Sequence, residues 1–140
     1  MRYLLDSSVW LEALLDQAQA GQVVEFLSRV PLTDLAVTDF AIYSIALKMI
    51  RHDRRDRYLE FANDILCDGG VTVVRPPPAA LSDALAAMAS LNLDFDDAIQ
   101  YLAAERNGLT LVSFDHHFDA TPRGRQTPAD VTPPAPAAGI

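Results

Sequence analysis

Residues 91–119 have the sequence LNLDFDDAIQYLAAERNGLTLVSFDHHFD. The pattern predicts an aspartate-rich loop, a helix from about Asp97 to Arg106, a stop at Asn107-Gly108 and a buried strand over Leu109–Ser113. A second acidic loop begins at Asp115, shortly after that strand. If the helix packs beside the strand, the aspartates at the start of the helix can meet Asp115 at one edge of a sheet.

Apolar runs before this stretch predict further strands that alternate with helices. Tyr3–Leu5, Leu35–Val37 and Val71–Val74 are short, continuous apolar segments, a pattern typical of strands buried on both faces of a sheet. We therefore predict an α/β fold, a three-layer α/β/α sandwich with a central parallel sheet. The predicted helices between the strands are Val9–Leu15, Gln22–Val30, Phe40–Ile50, Tyr58–Cys67 and Leu81–Met88.

The bulk composition is that of one globular domain. The chain has 140 residues, of which 50% are hydrophobic, enough for one sizeable core. We predict a single domain over residues 1–130 and a disordered proline- and alanine-rich tail over residues 131–140. No apolar run is long enough to span a bilayer, and a single cysteine excludes an internal disulfide, so we expect a cytoplasmic protein. That cysteine, Cys67, is expected to be buried as a small apolar residue.

The net charge of −8 limits how the protein can bind nucleic acid. Its overall field repels phosphates, so such binding needs a local basic patch or bridging cations. Five basic residues between positions 48 and 57 supply one patch, in which Arg51, Arg54 and Arg55 are candidate RNA contacts. The simpler interpretation is a solvated helix end, because aspartates are interspersed among these arginines.

Aspartates recur at the predicted carboxyl ends of strands. Asp6, Asp39 and Asp115 follow three of them, and Asp97 lies at the start of a helix. Each can be explained alone as a helix cap or turn residue, and Asp94 in particular as the N-cap of that helix. Capping does not explain why aspartates recur at one edge of the predicted sheet. Carboxylates gathered there repel one another and need a cation to offset that repulsion. Oxygen ligands suit Mg²⁺ or Mn²⁺, which can promote phosphodiester hydrolysis.

Four segments together match the pattern of a known family: LLDSSV (4–9), LDFDDAI (93–99), LTLVSFDHHF (109–118) and RGRQTP (123–128). They resemble the PIN-domain family, most closely the small bacterial PIN proteins of the VapC toxin type. The resemblance implies that Asp6, Asp97 and Asp115 are catalytic and bind Mg²⁺ or Mn²⁺, and that the hydroxyls of Ser8 and Ser113 lie beside them.

One position departs from the family pattern. In the family a glutamate usually lies six residues after a Ser or Thr, and counting from Thr38 gives Ser44. The surrounding segment, TDFAIYSI, resembles a subgroup that lacks this glutamate. Asp39 cannot replace it, because it would not share a helical face with Ser44. Candidates to compensate for the missing carboxylate are Asp94, Asp96 and Asp119. We assign Ser8, Ser44, Asp94 and Ser113 to substrate contact or to support of the metal ligands.

These observations lead to three hypotheses of function. The first is a metal-dependent endoribonuclease, the toxin of a type II toxin–antitoxin pair, for which the resemblance implies a homodimer and a small antitoxin protein. The second is a degenerate PIN domain that binds RNA or protein with weak or no nuclease activity, as the serine at position 44 suggests. The third, a phosphatase or receiver-like Mg²⁺ site, is disfavoured because Asp6-Ser7-Ser8 lacks a second acid.

The two histidines that follow Asp115 are further candidate site residues. His116 and His117 could contact substrate or metal. The simpler interpretation is an exposed pair in a loop with no part in the chemistry.

Overall fold

The computed structural model describes residues 1–132 and contains one sheet of four parallel strands. The predicted α/β fold with a central parallel sheet is therefore confirmed. The order across the sheet is β3-β2-β1-β4. The strands are β1 (Tyr3–Leu5), β2 (Leu35–Thr38), β3 (Thr72–Val74) and β4 (Thr110–Val112).

Helices cover both faces of the sheet because successive strand residues point to opposite sides. Tyr3 and Leu5 of β1 join a core built mainly with the first three helices, whereas Leu4 joins a second core with the last two. The helices are α1 (Ser7–Leu14), α2 (Ala20–Arg29), α3 (Asp39–Arg51), α4 (Arg55–Glu60), α5 (Ala80–Leu91) and α6 (Phe95–Arg106). None of the helices in the described part of the chain is long and apolar enough to cross a membrane.

The connection between α4 and β3 differs from the prediction. Residues 58–67, predicted as one helix, are the end of α4 followed by a π-helical segment, Phe61–Cys67. Phe61 is buried and packs against Trp10, with ring centroids 5.1 Å apart. Cys67, at the end of the segment, is exposed, so the prediction that it is buried is wrong. The helical spacing of apolar residues predicted that one face of this segment is buried. It did not show which side chains of the last turn reach the core.

The strand order creates a crevice at the carboxyl ends of β1 and β4. From β1 the chain moves to β2 and β3 on one side, and it returns to β4 on the other side of β1. Such a reversal separates the connections that leave the two neighbouring strands and opens a ligand site between them. Helix α6 contacts both β1 and β4, so its N-terminal turn lies at this crevice.

The segment after β4 closes the domain. Val112 and Gln126 form an isolated parallel bridge, which extends the sheet beyond β4. Val131, predicted as the first residue of the tail, is instead buried in the core, and its carbonyl accepts a hydrogen bond from Arg29 Nη1 at 3.0 Å. The packed domain therefore reaches at least this residue. Most of the predicted disordered tail, residues 133–140, lies outside the described residues.

Candidate metal centre

Asp6 is the innermost acid of the crevice and is fixed by two serines. It follows β1 directly and is only 7% exposed. Its Oδ2 accepts hydrogen bonds from Ser8 Oγ at 3.0 Å and from Ser113 Oγ at 2.7 Å. Ser113 Oγ also accepts a hydrogen bond from the backbone N–H of Asp115 at 2.9 Å. This hydroxyl therefore joins the end of β1 to the loop after β4.

Burial has the largest effect on the titration of Asp6. It raises the pKa of the carboxyl, while the hydrogen bonds from Ser113 and Ser8 act in the opposite direction. Asp6 occupies the N-cap position of α1, but its side chain makes no capping hydrogen bond. Its carboxylate is thus held by the hydroxyls of Ser8, in the first turn of α1, and of Ser113 after β4. A bound cation would favour its ionised form.

Asp97 lies in the first turn of α6, on a helix that is buried around most of its circumference. Helix α6 lies between the sheet and α5, so even polar residues such as Asp97 and Gln100 are buried. Burial, followed by the charge of Asp115 and of three further aspartates, raises the pKa of Asp97 to about 7. At neutral pH, with no cation bound, this carboxyl is therefore protonated in about half of the molecules.

The loop after β4 brings Asp115 and His117 to Asp97. Asp115 Oδ1 accepts a hydrogen bond from the backbone N–H of His117 at 2.9 Å, an Asx turn at the start of a short 3₁₀ helix. His117 Nδ1 lies 3.1 Å from Asp115 Oδ1 and 3.7 Å from Asp97 Oδ2. One donor atom from each of the three residues lies within 4.8 Å of the others. The turn predicted for Asp115 is thus present, and it also places a histidine at the acidic centre.

A second group of acids shares Asp97. Donor atoms of Asp94, Asp96 and Asp97 also lie within 4.8 Å of one another, and the first two residues are exposed. Asp94 occupies the N-cap position of α6, but its carboxylate makes no capping hydrogen bond. The prediction of a side-chain cap is therefore wrong, and Asp94 belongs with the acids at the mouth of the crevice.

Two other predicted acids are engaged elsewhere. Asp119 forms a two-point ion pair with Arg125, with N–O distances of 3.0 and 3.1 Å. Asp39, at the start of α3, has its nearest cation in Arg75, 4.0 Å away after β3. The charge of each aspartate is offset by an arginine, so neither is a free carboxylate for the crevice.

Ser44 lies on α3 and is half-buried. It precedes Lys48 by one helical turn, so the two side chains leave the same face of α3. Lys48 lines a cavity together with Ser8, the residue that hydrogen-bonds Asp6. Ser44 is not among the residues that line this cavity, and a serine offers no carboxylate to a metal ion.

The same cavity lies between Ser8 and part of the basic segment. It has a volume of about 430 Å³, and Ser8, Lys48, Arg51 and His52 are among its lining residues. Among the predicted RNA contacts, only Arg51 lines it. Lys48 belongs to the predicted basic patch but was not among the predicted RNA contacts, and His52 was not predicted at all, although the helical spacing of Lys48, Arg51 and His52 would have placed them on one face.

The other two predicted RNA contacts lie outside this cavity. Arg54 is 3.8 Å from Asp56, and Arg55 is exposed at the start of α4. Arg57, from the same basic segment, is paired with Asp16 at 2.5 Å. Much of the predicted patch is therefore partly neutralised by neighbouring aspartates.

Fold and site together define a class of protein: a parallel α/β/α sandwich with an acidic centre in the crevice between β1 and β4. Within that class, the chain belongs to the PIN domain family, whose model matches residues 3–124. The family predicted from the sequence segments is thereby confirmed. A comparison with curated protein sequences gives no match.

Solved structures similar to this chain include a toxin and a toxin–antitoxin complex. VapC20 of Mycobacterium tuberculosis, described as a sarcin–ricin loop cleaving toxin, is 16% identical with a TM-score of 0.75, over 86% of this chain and 95% of that one. A toxin–antitoxin complex from Klebsiella pneumoniae is 16% identical with a TM-score of 0.70, over 92% and 99% of the chains. FitAcB from Neisseria gonorrhoeae is 20% identical with a TM-score of 0.68, again over 92% and 99%. At these identities the likeness establishes the fold.

Proposed function

We propose that this PIN domain is a divalent-metal-dependent endoribonuclease and the toxin of a type II toxin–antitoxin pair. The observation that carries the proposal is the convergence of Asp97 and Asp115 in the crevice, with Asp6 behind them. The similar structures add support, because one is described as a toxin that cleaves the sarcin–ricin loop. We further propose that the protein acts in the cytoplasm, in keeping with its single free cysteine.

The donor set fits Mg²⁺ or Mn²⁺. Carboxylate oxygens are the ligands that these hard cations prefer, and the mutual repulsion of Asp6, Asp97 and Asp115 favours a positive charge between them. When bound, such an ion lowers the pKa of water and stabilises negative charge on phosphate oxygens. The ionised form of Asp97 is the form that binds, so metal binding releases protons near neutral pH.

The surrounding residues prepare the crevice for an RNA substrate. The hydroxyls of Ser8 and Ser113 orient the carboxylate of Asp6, which removes its rotational freedom before any ligand binds. Lys48 and Arg51 line the cavity that leads away from Ser8, where they can contact phosphates next to the cleaved bond. These local cations offset a net charge of −8 that would otherwise repel RNA.

We propose two protein partners, a second copy of the chain and a small antitoxin. Exposed apolar side chains on α3 support the first: Tyr43 and Leu47 are 62% and 59% exposed, and they follow Phe40 at helical spacing. This stripe is uncharged, so two copies can meet there without the like-charge repulsion expected on most of so acidic a surface. Light scattering should give a dimer mass for the natural chain and a monomer mass for Leu47→Glu. A monomer in both would contradict this face.

The antitoxin proposal draws on the similar structure from Klebsiella pneumoniae, which is described as a toxin–antitoxin complex. Its direct test is co-expression of the toxin with the open reading frame next to its gene. Rescue of growth and co-purification would support the proposal, and unimpeded growth of cells that express the chain alone would contradict a toxin.

A cleavage assay tests the nuclease. Purified protein is incubated with mixed RNAs in Mn²⁺ or in EDTA, alongside Asp97→Asn and the control Asp64→Asn, which makes the same charge change at an exposed position outside the crevice. We expect cleavage that needs Mn²⁺, is lost in Asp97→Asn and persists in Asp64→Asn. Equal, metal-independent traces in all three would refute the nuclease. Mn²⁺ binding without cleavage would favour the alternative, a degenerate PIN domain that acts as an RNA- or protein-binding module.

A further inference from the structure

The backbone of His117 is held at the acidic centre by contacts of residues that precede and follow it in the sequence. Before it, the carboxylate of Asp115 accepts a hydrogen bond from the His117 backbone N–H. After it, Phe118 is fully buried in the core between the sheet and the last two helices. The backbone at position 117 is therefore fixed, although the imidazole itself is 53% exposed at the mouth of the crevice.

The spacing of the imidazole and the two carboxylates suits a shared cation. Two adjacent ligands of an octahedral ion with bonds of about 2.0–2.1 Å lie about 3 Å apart. His117 Nδ1 is 3.1 Å from Asp115 Oδ1 and 3.7 Å from Asp97 Oδ2, close to that separation. These atoms come from two different elements, α6 and the loop after β4. Their convergence is therefore a property of the packed fold and not only of the local Asx turn.

We infer that His117 is a ligand of the divalent ion in this centre, with Nδ1 as the donor atom. This inference rests on the proposed function, because it concerns the same site. An imidazole nitrogen is a softer donor than a carboxylate oxygen and favours transition-metal ions over Mg²⁺. The expected physiological ion is thus Mn²⁺ or another transition metal, and Mg²⁺ is expected to bind more weakly.

An alternative role for His117 predicts a different result. If the imidazole only pairs with Asp115 as a charged neighbour, a bound cation would displace it, and no nitrogen would lie in the coordination sphere. The two roles are separated by the nitrogen signal of bound Mn²⁺, which does not depend on catalysis. His116 provides a matched control, because its ring is an adjacent imidazole at a centroid distance of 4.7 Å but is not part of the three-donor group.

The experiment is electron spin-echo spectroscopy of Mn²⁺ bound to the full chain, with His117→Gln and His116→Gln. We expect ¹⁴N modulation in the natural chain and in His116→Gln, and none in His117→Gln. Titration should show the Kd for Mn²⁺ rising on the order of 10-fold or more in His117→Gln, with a smaller change for Mg²⁺.

Two results would overturn the inference while leaving the nuclease intact: no ¹⁴N modulation in the natural chain with Mn²⁺ bound, or unchanged modulation in His117→Gln. The natural-chain spectrum decides the question even if the variant folds poorly. Failure of the proposed function has a different signature, because the natural chain would then leave RNA uncleaved in Mn²⁺ whether or not it binds the ion.

Discussion

Replacing Asp97 by asparagine should stabilise the metal-free protein while abolishing its stabilisation by metal. In the folded chain, burial and then Asp115 raise the pKa of Asp97 from 3.8 to about 7. At pH values between these two pKa values, the folded state therefore retains a proton on Asp97 that the unfolded state has lost. The free energy of unfolding of the natural chain must fall as pH rises through this window, and it levels off above about pH 8. Asparagine has no proton to lose, so the variant lacks this contribution.

The size of the effect follows from the same shift. A difference of about three pH units corresponds to about 4 kcal/mol at most, since one unit is about 1.4 kcal/mol. The crevice is open to solvent at its mouth, so screening reduces the like-charge part of this figure. We expect Asp97→Asn to be more stable than the natural chain by about 2 kcal/mol at about pH 8 and by about half of that at about pH 5.5.

Urea denaturation in EDTA at the two pH values measures this difference in stability. The same measurement in Mn²⁺ is expected to give a difference of the opposite sign. At a Mn²⁺ concentration about 100 times the Kd, the natural chain should gain about 2.7 kcal/mol, and Asp97→Asn should gain almost nothing. The order of stability would then reverse between EDTA and Mn²⁺. A variant that is less stable than the natural chain in EDTA at the higher pH would refute the reasoning, because Asp97 would then contribute favourable native contacts and not buried repulsion.

Three further substitutions test other parts of the centre. Ser113→Ala removes a donor to Asp6 and an acceptor for the Asp115 N–H, so urea denaturation should show a loss of about 1–3 kcal/mol; an unchanged midpoint would contradict the bridging role. Ser44→Glu places a carboxylate at the position where the family pattern has a glutamate and should tighten Mn²⁺ binding on the order of 10-fold by calorimetry, whereas unchanged affinity would place position 44 outside the centre. Arg51→Ala should weaken binding of single-stranded RNA and lower its salt dependence by about 0.7 in slope, measured by fluorescence anisotropy. Arg57→Ala, which makes the same charge change at an ion-paired residue, is its control, and equal effects of the two would argue against a specific contact.

The sequence by itself determined the strands, the helices and the acids that lie at their ends. Short apolar runs and turn residues are local signals, and they predicted four strands whose positions agree with those of β1 to β4. Since strands that alternate with helices favour a parallel sheet, the carboxyl ends of the strands had to share one edge. The sequence pattern therefore predicted Asp6, Asp39 and Asp115 at one edge, together with the aspartates at the start of the last helix. The resemblance of the PIN-like segments then selected Asp6, Asp97 and Asp115.

Only the tertiary structure decided which neighbours those acids have. Asp119 was a candidate to compensate for the missing glutamate, but it forms an ion pair with Arg125. Asp39 follows a strand that ends at the same edge, but its carboxylate lies beside Arg75, 4.0 Å away. His117 looked incidental, but it lies 3.7 Å from Asp97, a residue of a separate element. Sequence spacing predicts contacts within a helix or turn, where the backbone fixes the distance. Contacts between separate elements depend on how these pack, and that arrangement is set by the whole core, so His117 could be placed at the acidic centre only in the folded molecule.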